Sequence, residues 1–251
     1  MPRSGNPAFN QGVITNLTAT NKTKAMTAAG TYIKTFLLLI LVMASAAISW
    51  QWMKTSITNS DIRWLPLWAA SLSTFFMGMV ISFRPKSAPV LAPIYAILQG
   101  ALLGIVSGTF AYAYEGIVGQ AVFTTLAVFL AVYAGYATGL LRATGTFVRI
   151  ILTAMLGYLM FSLLAWIFSL FSLTTPVIYS YGNAGVIFGF LVVLVAALSL
   201  VLDFDFIDSA ASSNYPKYFE WYGAFGLMVG LIWLYMEILR LLARLAARSQ
   251  S

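Results

Sequence analysis

Cysteine and histidine are both missing from this chain of 251 residues. Without cysteine there is no disulfide, no thiolate nucleophile and no thiolate metal site. Without histidine, Ser-His and Cys-His catalysis, HExxH zinc sites and histidine proton relays fall away, leaving seven carboxylates as the main acid-base groups. Charge is scarce as well: 8% of the residues are Asp, Glu, Lys or Arg, against roughly 25% in a soluble domain. With 61% of residues hydrophobic, a soluble fold of this length would lack the polar residues to cover its surface, so that surface must face lipid.

Seven apolar segments follow, at approximately 33 to 52, 64 to 83, 90 to 112, 120 to 141, 148 to 171, 184 to 203 and 221 to 243. Each approaches the ~20 residues needed to cross a hydrocarbon core of ~30 Å. Barrel strands would be half as long and strictly alternating, so the segments read as helices. The expected fold is an all-α integral membrane protein, a bundle of seven transmembrane helices over 31 to 251 behind a disordered basic tail at 1 to 30. Trp50, Trp52, Trp64, Trp68, Tyr112, Tyr114, Trp221 and Tyr222 sit near span ends as an aromatic belt.

The formal charge of +7 comes from basic residues scattered at helix ends, which favours topology signals and lipid headgroups over nucleic acid. Arg3, Lys22 and Lys24 in the tail, Arg84 and Lys86 in the second loop and Arg142 in the fourth outweigh Lys54 and Arg63 in the first. The N-terminus is expected in the cytoplasm of a multi-pass cell-membrane protein. Seven crossings would then place Arg240, Arg244 and Arg248 outside, against the same rule. Gly100 and Gly104, followed by Gly108, and the pair Gly135 and Gly139 are read as GxxxG packing devices, and Pro66, Pro89 and Pro93 as residues of helix starts.

Five of the seven carboxylates fall between residues 203 and 237, where a charge costs about 2.5 to 3.5 kcal/mol at a helix centre and less toward the interface. On a continuing helix Asp205 and Asp208 share a face, while Asp203 points about 200° away from Asp205. Carboxylates gathered there cannot all ionise cheaply, so the cluster is a candidate pH sensor. The other reading is a solvated helix end with Asp208 as a cap or turn residue. Hard oxygen ligands without His or Cys suit calcium or protons, and Asp203 with Asp205 are the candidate calcium ligands. Glu237 shares a face with Arg240 and Arg244, which suggests an intrahelical ion pair with the arginines reaching for headgroups, or else a group on an ion path. Glu220 reads as an interfacial anion at the start of the last helix.

The stretch DFDFID from Asp203, then PKYFEWYGAFGLMVGLIWLYMEILRLLA, resembles the Bax inhibitor family, also called the transmembrane Bax-inhibitor-motif family, and in particular its bacterial branch. NPAFN at 6 to 10, AAGTYIKT at 28 to 35, PVLAPIYAILQGALLGIVS at 89 to 107 and EGIVGQAVFTT at 115 to 125 agree in order. The resemblance implies a seven-helix fold with the last helix central, and an activity as a pH-sensitive calcium leak. It implies further that an aspartate near the end of the sixth helix shares protons with one in the seventh. Asp203 matches the first position, and Gly230 stands where the second is expected, with Asp205 or Glu237 as substitutes.

The leading functional expectation is a cation leak gated by carboxylate protonation, with calcium or protons as permeants, no cofactor and no enzymatic activity. A proton-coupled transporter is a variant of it. The alternative is a non-conducting scaffold that binds other membrane proteins through its glycine-lined faces; an intramembrane enzyme is disfavoured by the missing histidine and cysteine.

Overall fold

A computed structural model describes residues 25 to 58, 64 to 171 and 182 to 249. Residues 1 to 24 of the tail expected at 1 to 30, and the loop with Arg63, lie outside the described residues. The helices are α1 (Ala28–Thr58), α2 (Trp64–Phe83), α3 (Ala88–Ala113), α4 (Ile117–Ala137), α5 (Gly145–Leu170), α6 (Asn183–Ser212) and α7 (Phe219–Ser249), with a short 3-10 turn, Pro85–Ser87, before α3. Among the described residues six of these are long and apolar enough to cross a membrane, and α2 adds the apolar stretch Ala70–Phe83. Phe36, Phe75, Leu130, Leu156 and Phe190 are exposed on the outside of the bundle, where a bilayer would solvate them.

Helix α7 is the hub, packed against α1, α3, α4 and α6. Its Leu227, Met228, Leu234 and Leu239 are fully buried. It runs antiparallel to α6, as the facing of Gly223 by Ile207 and of Gly189 by Arg244 shows. Phe204 of α6 is wholly buried among Tyr32, Phe129, Tyr133 and Tyr136, with ring centroids 5.5 to 6.5 Å away. Ser107 and Tyr235 share a buried hydrogen bond of 2.7 Å that ties α3 to α7.

Lipid tails are as apolar as leucine, so nothing like the aqueous hydrophobic effect drives membrane helices together; close van der Waals approach does much of that work. The first GxxxG motif provides it. A Cβ on Gly100 would lie 2.4 Å from the Val42 carbonyl oxygen, and one on Gly104 2.2 Å from that of Ala46, so α3 lies directly on the backbone of α1. The second motif does something else. Helix α4 ends at Ala137, short of the expected 141, because Gly139 takes a left-handed conformation (φ 73°) that turns the chain. Gly135 makes room for Leu141 folding back onto the helix. Pro93 also departs from expectation: α3 starts at Ala88, so this proline lies inside the helix.

The tail boundary moves too. Helix α1 starts at Ala28, and Met26 N–H donates to the Tyr215 carbonyl at 2.8 Å. An isolated bridge between Ala25 and Pro216 closes the same contact. The start of α1, the end of α6 and the start of α7 therefore share one side of the bundle.

Gly100→Ala should lower unfolding stability by about 1 to 3 kcal/mol, because the backbone of α1 must move to admit the methyl group. Gly119→Ala, where a Cβ meets open space, should leave stability unchanged; equilibrium unfolding in mixed micelles measures both. Single cysteines introduced at Lys86 and Lys217 should be labelled from one side of the membrane and one at Glu115 from the other, on a background free of native thiols.

Candidate functional site

The three aspartates of α6 separate as helix geometry requires. Asp203 faces α7: a Cβ on Gly230 would lie 2.8 Å from its Oδ2, and one on Gly226 4.0 Å from its Oδ1. The carboxylate is thus seated, half-buried, in a notch formed by two glycines one turn apart. Among the described residues no side chain pairs with it or donates a hydrogen bond to it.

Asp205 and Asp208 point elsewhere. Both line an open pocket of about 450 Å³ with Tyr136, Gly139, Arg142 and Thr144 at the α4–α5 turn. Tyr136 donates its hydroxyl to Asp208 Oδ2 at 2.8 Å. Because α6 continues to Ser212, Asp208 lies within the helix and is neither its cap nor a turn residue. The pairing of Asp203 with Asp205 as calcium ligands fails on the same geometry: two residues along a helix turn the side chains about 200° apart. Among the described residues no three acidic, histidine or cysteine groups gather to hold a metal ion.

Glu237 does not approach Asp203, since it lies seven residues, about 10 Å of helix rise, beyond Gly230. Its side chain is 4% exposed. Its Oε1 accepts from Arg240 Nη1 at 2.7 Å, from the Tyr158 hydroxyl at 2.6 Å and from Trp233 Nε1 at 3.3 Å. The expected ion pair with Arg240 is present, and Arg240 is half exposed. Arg244 corrects its expected role as a second partner reaching for headgroups. It is 8% exposed, and its Nη1 donates to the Gly185 carbonyl at 2.7 Å. That arrangement needs Gly189, whose Cβ would lie 2.4 Å from the same nitrogen.

The most fully paired carboxylate is one the sequence reading placed at the interface. Glu220 is completely buried. Its Oε2 pairs with Lys34, and its Oε1 with Lys217 at 2.7 Å. Thr27 donates to Oε1 through its backbone N–H at 2.9 Å and its hydroxyl at 3.0 Å. The Thr27 oxygen also accepts from Gly30 N–H at 3.0 Å, which caps α1. One carboxylate therefore sits at the positive ends of two helices, α1 and α7. A Cβ on Gly30 would lie 2.5 Å from it, which accounts for the glycine of AAGTYIKT. Two signals pointed here: a threonine three residues before Gly30 marks a helix start, and a lysine inside an apolar run demands a partner.

A bundle of long apolar helices around a buried central helix, with its few carboxylates held at helix seams, defines a multi-pass α-helical membrane protein. The chain belongs to the Bax inhibitor family: the family model described as Bax inhibitor 1 like matches residues 6–247. Searches of curated proteins and of solved structures returned no match.

Glu220→Gln should cost about 2 to 3 kcal/mol, since two lysines lose their shared counter-charge and two donors of Thr27 lose a charged acceptor. Amide exchange around residues 25 to 35 should accelerate selectively in that variant.

Proposed function

We propose that this Bax inhibitor family protein is a pH-responsive cation leak of the cell membrane, with its N-terminus in the cytoplasm and calcium or protons as permeants. It needs no resident metal or cofactor and catalyses no reaction. The observation that carries the reading is the Asp203 carboxylate, seated against Gly226 and Gly230 in the α6–α7 seam with no protein partner among the described residues. A charged carboxylate at that depth requires water or a cation, whereas a neutral one can rest against the glycines. Uptake or loss of one proton thus changes what the seam must contain, and α7, being the hub, passes that change to α1, α3 and α4.

Gly230, where the resemblance places a second aspartate, lies against the Asp203 carboxylate, and this supports the reading. Here the sensor is a single carboxylate and a glycine notch in place of two acids sharing protons. Neither proposed substitute for the second acid fills that place. Asp205 faces the α4–α5 turn and Glu237 is neutralised by Arg240.

In proteoliposomes loaded with a calcium dye, flux should change over the range in which carboxylates titrate. Asp203→Asn should make it independent of pH, while Asp205→Asn and Glu237→Gln keep the dependence. No flux through the unaltered protein, or an Asp203→Asn variant that retains the full pH response, would overturn the reading.

A further inference from the structure

A second polar site lies toward the opposite end of α7 and does not depend on the leak reading. Helix α5 packs along α6 and makes no extended contact with α3; it meets α7 through the Tyr158 hydroxyl on Glu237. The gap is a pocket of about 600 Å³, lined by Tyr114, Tyr158, Ser162, Trp233 and the three charged residues Glu237, Arg240 and Arg244. That is the size range of small-molecule sites. Two arginines against one glutamate leave an excess of one positive charge.

The arginines are held in place before any ligand arrives. Arg240 is oriented by Glu237 Oε1 and also donates to the Tyr158 hydroxyl at 3.2 Å. Arg244 is buried to 8% exposure, and its one hydrogen bond among the described residues, to Gly185, engages Nη1. A guanidinium has several further donors, and this residue lines the pocket. Both arginines follow the apolar run of α7, and the pocket also holds Trp233 and Tyr158, whose rings lie 5.8 Å apart and tilted to one another, a residue combination that suits the level of lipid headgroups. Burying Arg244, with Arg240 beside it, on the side that the distribution of basic residues marks as outer runs against their use as topology signals. An anion that recruits them there explains the exception.

We propose that this pocket binds the phosphate of an anionic membrane lipid, whose chains leave through the gap between α3 and α5. Arg240 and Arg244 would clamp the phosphate oxygens, and the Ser162 and Tyr114 hydroxyls would meet the remaining headgroup. Guanidinium suits this task because its planar fork matches phosphate geometry.

The test is thermal unfolding of the full chain in neutral detergent, titrated with phosphatidylglycerol, phosphatidylcholine or soluble glycerol 3-phosphate, with native mass spectrometry counting bound lipid. Phosphatidylglycerol should raise Tm saturably and leave one lipid bound, phosphatidylcholine should need a concentration at least about tenfold higher, and glycerol 3-phosphate should do nothing at matched concentration. Ser162→Phe, which fills the pocket and keeps both arginines, should unfold near the unaltered Tm and lose the lipid response. Arg240→Gln should weaken binding by about tenfold or more, judged against its own lipid-free Tm. Equal responses to the two lipids would overturn the anionic requirement, and an equal response to glycerol 3-phosphate would overturn the lipid as its source. Two variants that respond like the unaltered protein would overturn the site itself.

Discussion

Everything in this bundle depends on how closely its helices can approach one another, because in hydrocarbon there is little else to hold apolar helices together. Glycine sets that distance. Gly100 and Gly104 bring α3 onto α1, Gly223 admits Thr31 and Ile207 to the surface of α7, and Gly189 lets Arg244 reach across to α6. The last helix can be central only because its neighbours contribute such places. Its own small residues then decide which polar groups come to lie against it.

The carboxylates are the second consequence of close packing. Where two helices nearly touch, a buried charge must be matched within the seam or left to solvent. Glu220 is matched twice over, by Lys34 and Lys217, and it clasps the start of α1 to the start of α7. Glu237 is matched by Arg240 and two further donors. Asp203 alone of these three has no partner among the described residues and faces a notch of two glycines. The contrast separates the three: two acids tie helices together by ion pairs, and the third is the one on which the proposed function rests. Among the described residues, the buried acids are matched at two seams and the third carboxylate has no counter-charge, which is the observation the proposed proton response rests on.

The two ends of α7 are also unlike. Its start is bound to the first helix and the α6–α7 turn by charge and backbone contacts. Its last turns stand beside a pocket that α5 does not close. The rigid end and the open end are joined by one continuous helix, so a change in the Asp203 seam between them has a firm anchor on one side and a yielding neighbour on the other.

Much of this was legible in the residues alone. Long apolar runs and the want of charge dictated membrane helices, because lipid accepts no other backbone arrangement for segments of that length. The Gly100–Gly104 spacing announced a close contact, and the 100° step per residue already split Asp203 from Asp205. The Glu237–Arg240 pair needed only helical periodicity, being three residues apart. What the order of residues could not supply was any partner distant in the chain. The clasp of Glu220 on Thr27 and Lys34 spans almost two hundred residues, and the seating of Arg244 on Gly185 spans two helices. The second glycine motif misled for a related reason: Gly135 and Gly139 have the spacing of a packing face, but the turn at Gly139 ends the helix and removes that face. Sequence determined the solvent each segment must meet and the face each side chain must share, since both follow from composition and a fixed helical repeat. Which seam receives each acid, and whether a counter-charge waits there, was decided by tertiary packing alone, because that depends on which backbones come near enough to touch.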